Sequence, residues 1–225
     1  MLDFLVTTAL KLVLLAPPIL MALTVHEAAH AWVASRCGDQ TARLAGRISL
    51  NPLRHLDPAG TLVFFVTAWF GSGIGWAKPV PVDWRNLGHP RRDLALISAS
   101  GPVVNLVCAA LLALALNLLI QMGAFAGAGL VMFYLGQLLV FGVQVNTILA
   151  FFNLLPLPPL DGSGIVTGLL PPRAAASYHA FSRYGFAILL ALIFLPQVIH
   201  GFPDVIHWLV ITPARALMAW LLPML

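Results

Sequence analysis

The sequence predicts an all-α membrane protein. It would be a polytopic transmembrane bundle with a three-helix core, about two further helices toward the C-terminus, and a small β-hairpin or re-entrant region between the first two core helices. Three observations carry this. Of the 225 residues, 60% are hydrophobic and only 9% charged, whereas a soluble domain is about 25% charged. Several apolar runs reach the roughly 20 residues that a spanning helix needs. Eight of the twelve Lys and Arg fall between Arg36 and Arg92, in the stretch separating the first two runs, which is the pattern of a cytoplasmic loop.

The elements follow in chain order. The first apolar segment covers about residues 4–35 and is interrupted by Pro17 and Pro18. Its start does not read as a removable leader, because Asp3 is acidic and Lys11 sits inside the apolar run. Region 36–92 is rich in Gly and Pro, with β-like pieces at Thr41–Leu50 and Ala77–Val82. It also holds the apolar run Thr61–Phe70, which is too short to span. Non-helical backbone at membrane depth must pack on protein or line a wet cavity, so a re-entrant loop or hairpin is expected there. The second and third segments, about 94–122 and 130–155, complete the core. Segments at about 184–199 and 205–222 are shorter, and the last carries Pro213 and Arg215, so it either spans or lies in the interface. The charge pattern places region 36–92 and the segment after Leu155, with Arg173 and Arg183, on the cytoplasmic side. The uncharged loop Gly123–Gly129 and the N-terminus would then face outside. The chain reads as one membrane domain, residues 1–225, with a core of about 4–165.

Composition also excludes. The formal charge is +4, but no basic helix or recognisable module supports nucleic-acid binding. Cys37 and Cys108 form neither a disulfide framework nor a Cys-x-x-Cys metal spacing.

The chemistry is concentrated in His26-Glu27-Ala28-Ala29-His30. Helix positions four apart share a face, so both imidazoles can reach one metal ion, and imidazole is a good zinc ligand. Glu27 stands beside them as a general base toward a metal-activated water. It is the sole glutamate of the chain and lies in the inner half of an apolar helix, where insertion of an ionisable residue costs about 2.5–3.5 kcal/mol. Catalytic zinc takes three protein ligands. The candidate for the third is Asp161, which follows Pro156, Pro158 and Pro159. These prolines forbid a regular helix, and Gly162 permits a sharp turn after the carboxylate.

The pairing of His-Glu-x-x-His in the first core helix with Asn153-Leu154-Leu155-Pro156 and Pro158-Pro159-Leu160-Asp161-Gly162 after the third resembles the site-2 protease family of intramembrane zinc metalloproteases. Ser49 through Pro58, Gly75 through Val82, and Ser100-Gly101-Pro102-Val103-Val104-Asn105 resemble its small bacterial members, so the likeness runs from about residue 20 to 165. The resemblance implies one zinc ion held by His26, His30 and Asp161, with Glu27 as base. The substrate it implies is a transmembrane helix that unwinds before cleavage in a bacterial inner membrane. This length leaves no room for the PDZ or nucleotide-sensing domains of larger members.

Three asparagines have two readings each. Asn105, Asn146 and Asn153 either hydrogen-bond neighbouring helices or serve the reaction, with Asn105 the best placed to donate to a developing oxyanion. By resemblance, Asn105 and Asn153 handle substrate. His55, beside Asp57, is either an ordinary surface histidine or a group approaching the site from the cytoplasmic side. An extended piece such as Ala77–Val82 or Ala45–Leu50 can hold a peptide by strand addition. From a different class, a metal-ion transporter would use the same His and Asp residues, but no inverted repeat or relay of ionisable groups accompanies them. A catalytically dead family member acting as a binding partner is disfavoured by the intact Glu27.

Overall fold

The computed structural model describes residues 2–69, 75–127 and 129–223, and the side chains among them except those of 2–13, 68 and 69. Phe70 of the apolar run and Ala128 of the loop between the second and third segments lie outside these residues. The architecture is helical: α1 (Leu2–Arg36), α2 (Thr41–Leu44), α3 (Pro58–Trp69), α4 (Pro90–Gln121), α5 (Leu130–Asn153), α6 (Asp161–Leu169), α7 (Pro172–Ser182), α8 (Gly185–Val198) and α9 (Thr212–Leu221).

The expected interruption at Pro17 and Pro18 does not occur; α1 runs unbroken for 35 residues. A transmembrane helix tolerates prolines when packed neighbours and local adjustment satisfy the carbonyls they free, and Pro18 is buried. Helix α4 starts with Pro90 in its first turn, where the missing N–H costs nothing. Among the described residues, α4 (32 residues) and α5 (24 residues) are long and apolar enough to cross a membrane. The fourth expected span is α8, only 14 residues long; it reaches spanning length only if joined to α7, from which it is bent by 59°. The fifth becomes a π-helical turn, His207–Ile211, leading into the 10-residue α9.

Helices α1, α4 and α5 pack against one another, and α6 lies along α4. Small residues set the spacing. Ala109 and Ala113 of α4 meet Val143 of α5 in a fully buried cluster, the close approach by which helices associate in lipid. A second cluster of Leu155, Leu160, Leu189 and Val210 ties the α5–α6 link to the C-terminal helices. Outward, Leu111, Leu114 and Leu118 of α4 and Val131 and Phe133 of α5 are exposed. So large an apolar surface calls for lipid rather than water.

Region 36–92 departs from the expected hairpin. Among the described residues it contains no strand, only one antiparallel bridge between Leu56 and Ala77. Thr41–Leu50 begins as the short helix α2. Ala77–Val82 forms no strand beyond the bridge at Ala77, because Pro79 and Pro81 remove alternate N–H donors and no ladder can propagate. A side chain replaces the missing strand: buried Arg47 donates from Nη1 to Pro79 O at 3.0 Å and from Nη2 to Lys78 O. The apolar run forms α3, whose 12 residues are too few to span.

Asp39, fully buried, organises the rest. It accepts from Thr41 N (3.0 Å), Thr41 Oγ1 (2.5 Å), Asp83 N (2.7 Å) and Asn86 Nδ2 (3.0 Å), pinning residues 83–86 to the end of α1. Burial pushes the Asp39 carboxyl up, but these four donors outweigh it and hold its pKa below the ordinary value. The ionised carboxylate therefore favours the fold above the ordinary carboxylate range, and that contribution is lost as pH falls through the depressed value. Replacing Asp39 by Ala leaves buried donors unpaired, costing about 1–3 kcal/mol. Amides of residues 83–88 should exchange faster in the variant, and wild type should approach that behaviour only in strong acid.

Candidate metal centre

His26 and His30 lie one helical turn apart near the C-terminal end of α1 and point at α4. Each ring is held through Nδ1. His26 Nδ1 is 2.6 Å from Asn105 Oδ1, and His30 Nδ1 is 2.7 Å from the Ile97 carbonyl. Ser100 Oγ, itself donating to Ile97 O at 2.6 Å, lies 3.3 Å from His30 Nδ1.

Asn105 can only accept from His26, because its amide protons are already used. Asn105 Nδ2 donates to Ala22 O (3.1 Å) and to Asn146 Oδ1 (2.8 Å), and Asn146 Nδ2 donates in turn to Gly142 O (2.8 Å). A carbonyl acceptor at each Nδ1 puts the ring proton there and leaves a lone pair on each Nε2.

These lone pairs converge on Asp161, the first residue of α6. The separations are 3.1 Å between the two Nε2 atoms, and 3.0 and 3.3 Å from them to Asp161 Oδ2. Asp161 Oδ2 is buried with no hydrogen-bond donor. Three acceptors facing one another with no proton between them repel unless a cation neutralises them. Zinc bonds of about 2.0–2.2 Å at tetrahedral angles separate ligand atoms by about 3.4 Å, close to what is seen. The N,N,O set thus fits zinc, and His26, His30 and Asp161 would hold it. Asp161 also sits at a helix N-terminus, which favours a carboxylate.

Two expectations about this neighbourhood need revising. Gly162 is not in a left-handed turn but lies inside α6, where a Cβ would strike the carbonyls of Leu154 and Leu155. Its value is close approach to the end of α5. Asn105 is fully buried and offers no free N–H to an oxyanion; its geometry is that of a group orienting His26.

Glu27 is half-buried on α1 beside the two ligands. Asn146 is buried and bonded to Asn105, away from the converging lone pairs. Asn153, the last residue of α5, is half-buried and donates to Leu149 O at 3.1 Å. His55 is not a surface residue: it is 2% exposed, bonded through Nε2 to Ser49 O at 2.8 Å, and its Nδ1 has no donor.

Residue-by-residue reading assigned nothing to Ile97, Ser100 or Gly101. Gly101 lets α4 approach the ligands, since a Cβ there would lie 2.5 Å from His26 Cε1 and His30 Nε2. The signal was present in Ser100-Gly101-Pro102, whose role needs the helix crossing to be seen. Removing the acceptor in Asn105→Ala should weaken zinc affinity about 10–100-fold. Gly101→Ala should act in the same direction by displacing both rings. Chelator competition on purified protein measures both, and unchanged zinc affinity in both variants would refute this role of the α4 face.

Residues 14–194 match peptidase family M50. The chain is 42% identical over 180 residues to YwhC of Bacillus subtilis, named as a zinc metalloprotease, covering 79% of this chain and 78% of that one. It is 31% identical to the Rip2 proteins of Mycolicibacterium smegmatis and Mycobacterium tuberculosis, over 192 and 196 residues, also named as zinc metalloproteases; each match covers 84% of this chain and 70% of the relative. No solved structure matches. With the family match spanning both the α1 histidines and Asp161, this chain belongs to peptidase family M50, the site-2 protease family, and is a zinc metalloprotease.

Proposed function

We propose that this protease is an intramembrane endopeptidase that hydrolyses peptide bonds of transmembrane protein substrates, working at the cytoplasmic edge of a bacterial cell membrane. The observation that supports this most is where the donor atoms sit. His30 lies six residues before Arg36, the end of α1, which is about 9 Å at 1.5 Å per residue. Asp161 follows the end of α5 by eight residues. Both approaches lead to the side on which the basic region 36–92 lies, so water would enter from there. Family membership sets aside the transport reading of the same residues.

Zinc, when bound, lowers the pKa of a water to about 7 and polarises the scissile carbonyl. The remaining work falls to this chain. Glu27 accepts the proton of the attacking water and returns it to the leaving amine. Asn105, backed by Asn146, keeps the His26 ring turned so that its Nε2 lone pair faces Asp161. Ala77–Val82, extended and anchored by Arg47, offers an edge on which an unwound substrate can lie as an added strand. In the bridge pair Leu56–Ala77 the backbone bond falls on the flanking residues, Lys78 N to His55 O at 2.8 Å. The N–H and C=O of Ala77 therefore point away from Leu56. Asn153, at the open end of α5, is the asparagine best placed to meet that strand.

Glu27→Gln should lower kcat/KM on a transmembrane peptide by about 10²–10⁴-fold while zinc content matches wild type; cleavage at the wild-type rate would overturn the assignment. Sidedness has its own check. A cysteine at exposed Arg85, in a background lacking Cys37 and Cys108, should react with an impermeant maleimide only in inside-out vesicles.

A further inference from the structure

A cavity of about 340 Å³ opens between α1, α3 and α5. On α1 its wall includes Leu20, Leu23 and Thr24, and on α5 it includes Val145 and Leu149. Side chains three and four apart share a helix face. Glu27 is four residues beyond Leu23 and three beyond Thr24, so the α1 wall ends at the catalytic base. Asn153 is four residues beyond Leu149, so the α5 wall ends at the asparagine closing that helix. The lined faces thus stop one turn short of Glu27 on α1 and of Asn153 on α5. Its far side is built by α3, His55 and Leu56, and by Trp76 and Ala77 of the extended edge. The lining is chiefly carbon, and Thr24, His55 and Thr61 are among its few residues with polar side chains.

Size selects the occupant. Ligand pockets run from roughly 300 to 1,000 Å³, and this cavity lies at the low end. It holds one or two large side chains, whereas a helix about 10 Å across does not fit. A substrate residue that leaves its transmembrane helix beside a water-fed metal would expose its apolar side chain to that water. A carbon-lined cavity one turn from Glu27, walled in part by the edge on which the peptide would lie, is where such a side chain is shielded.

We infer that this cavity is the specificity pocket of the enzyme, receiving a large apolar side chain (Leu, Met or Phe) from a residue flanking the scissile bond. This rests on the intramembrane endopeptidase reading above. The pocket sets which peptide bond in an apolar stretch is cut, by demanding a bulky residue at one fixed distance from it.

The test uses purified full-length protein in detergent and transmembrane peptides that differ only at one flanking position, carrying Ala, Leu, Phe or Trp. Leu20→Trp fills the pocket and Leu149→Ala deepens it from the opposite wall. At one flanking position, Leu20→Trp should lower the Leu-to-Ala ratio of kcat/KM by about tenfold or more, and Leu149→Ala should raise the Trp-to-Ala ratio by a similar factor. Because the readout is a ratio in two opposed variants, a general loss of activity in either does not imitate it. Wild-type ratios at every flanking position in both variants would overturn the inference. So would unchanged ratios with a loss of co-purifying lipid from Leu20→Trp, which would make the cavity an acyl-chain site. Failure of the wild type to cut any transmembrane peptide would instead bring down the intramembrane endopeptidase reading, and this inference with it.

Discussion

Everything at the centre of this molecule depends on what α4 presents to two imidazole rings. Histidine is an ambiguous ligand: either nitrogen can carry the proton, and the ring can turn. Here the Ile97 carbonyl and Asn105 Oδ1, both on α4, fix the proton on Nδ1 of His30 and His26. Asn105 has no freedom to do otherwise, because Asn146 and Ala22 consume its donors. The polarity set at Gly142 O is thus handed from α5 through two amides to a ring on α1. These bonds lie in a region with almost no exposure, where an unpaired polar atom is expensive and a paired one is correspondingly directional.

The rest of the bundle exists to hold that crossing at the right distance. Gly101 permits contact between α4 and the rings. The small-residue seam of Ala109, Ala113 and Val143 holds α5 close enough for Asn146 to reach Asn105. Gly162 lets α6 begin against the end of α5, and so brings the Asp161 carboxylate to the pair of imidazoles. Between α1 and α4 the same economy recurs in charged form, with Asp39 gathering four donors and Arg47 gripping two carbonyls in place of a sheet.

Much of this was legible in the sequence, and the reasons are physical. The three residues that the structure brings together, His26, His30 and Asp161, stand out in the sequence because ionisable residues are scarce in an apolar helix. A His-x-x-x-His pair around the sole glutamate of the chain is costly to insert unless a metal uses it, and Asp161 follows a stretch that cannot be helical. Asn105 was visible as a candidate but not as an acceptor, since an amide shows both faces in one letter and only its neighbours decide which is used. The hairpin misled because β-like composition says nothing about whether donors exist to build a ladder; Pro79 and Pro81 had already removed them, and Arg47 is too distant in sequence to be seen as the substitute. His55 looked like a loop residue for the same reason. Its burial comes from α1 and the extended segment closing over it, contacts with no local signature.

The placement of Asp161, the candidate third ligand, on a different helix has a consequence in time. His30 and Asp161 are 161 − 30 = 131 residues apart in the chain. At synthesis rates of about 5–20 residues per second, the imidazole pair emerges roughly 7–26 s before its carboxylate partner exists. Throughout that interval the rest of the bundle is still being made. A protease whose candidate metal site is split between its first and last core pieces stays inert until the bundle that restrains it is complete.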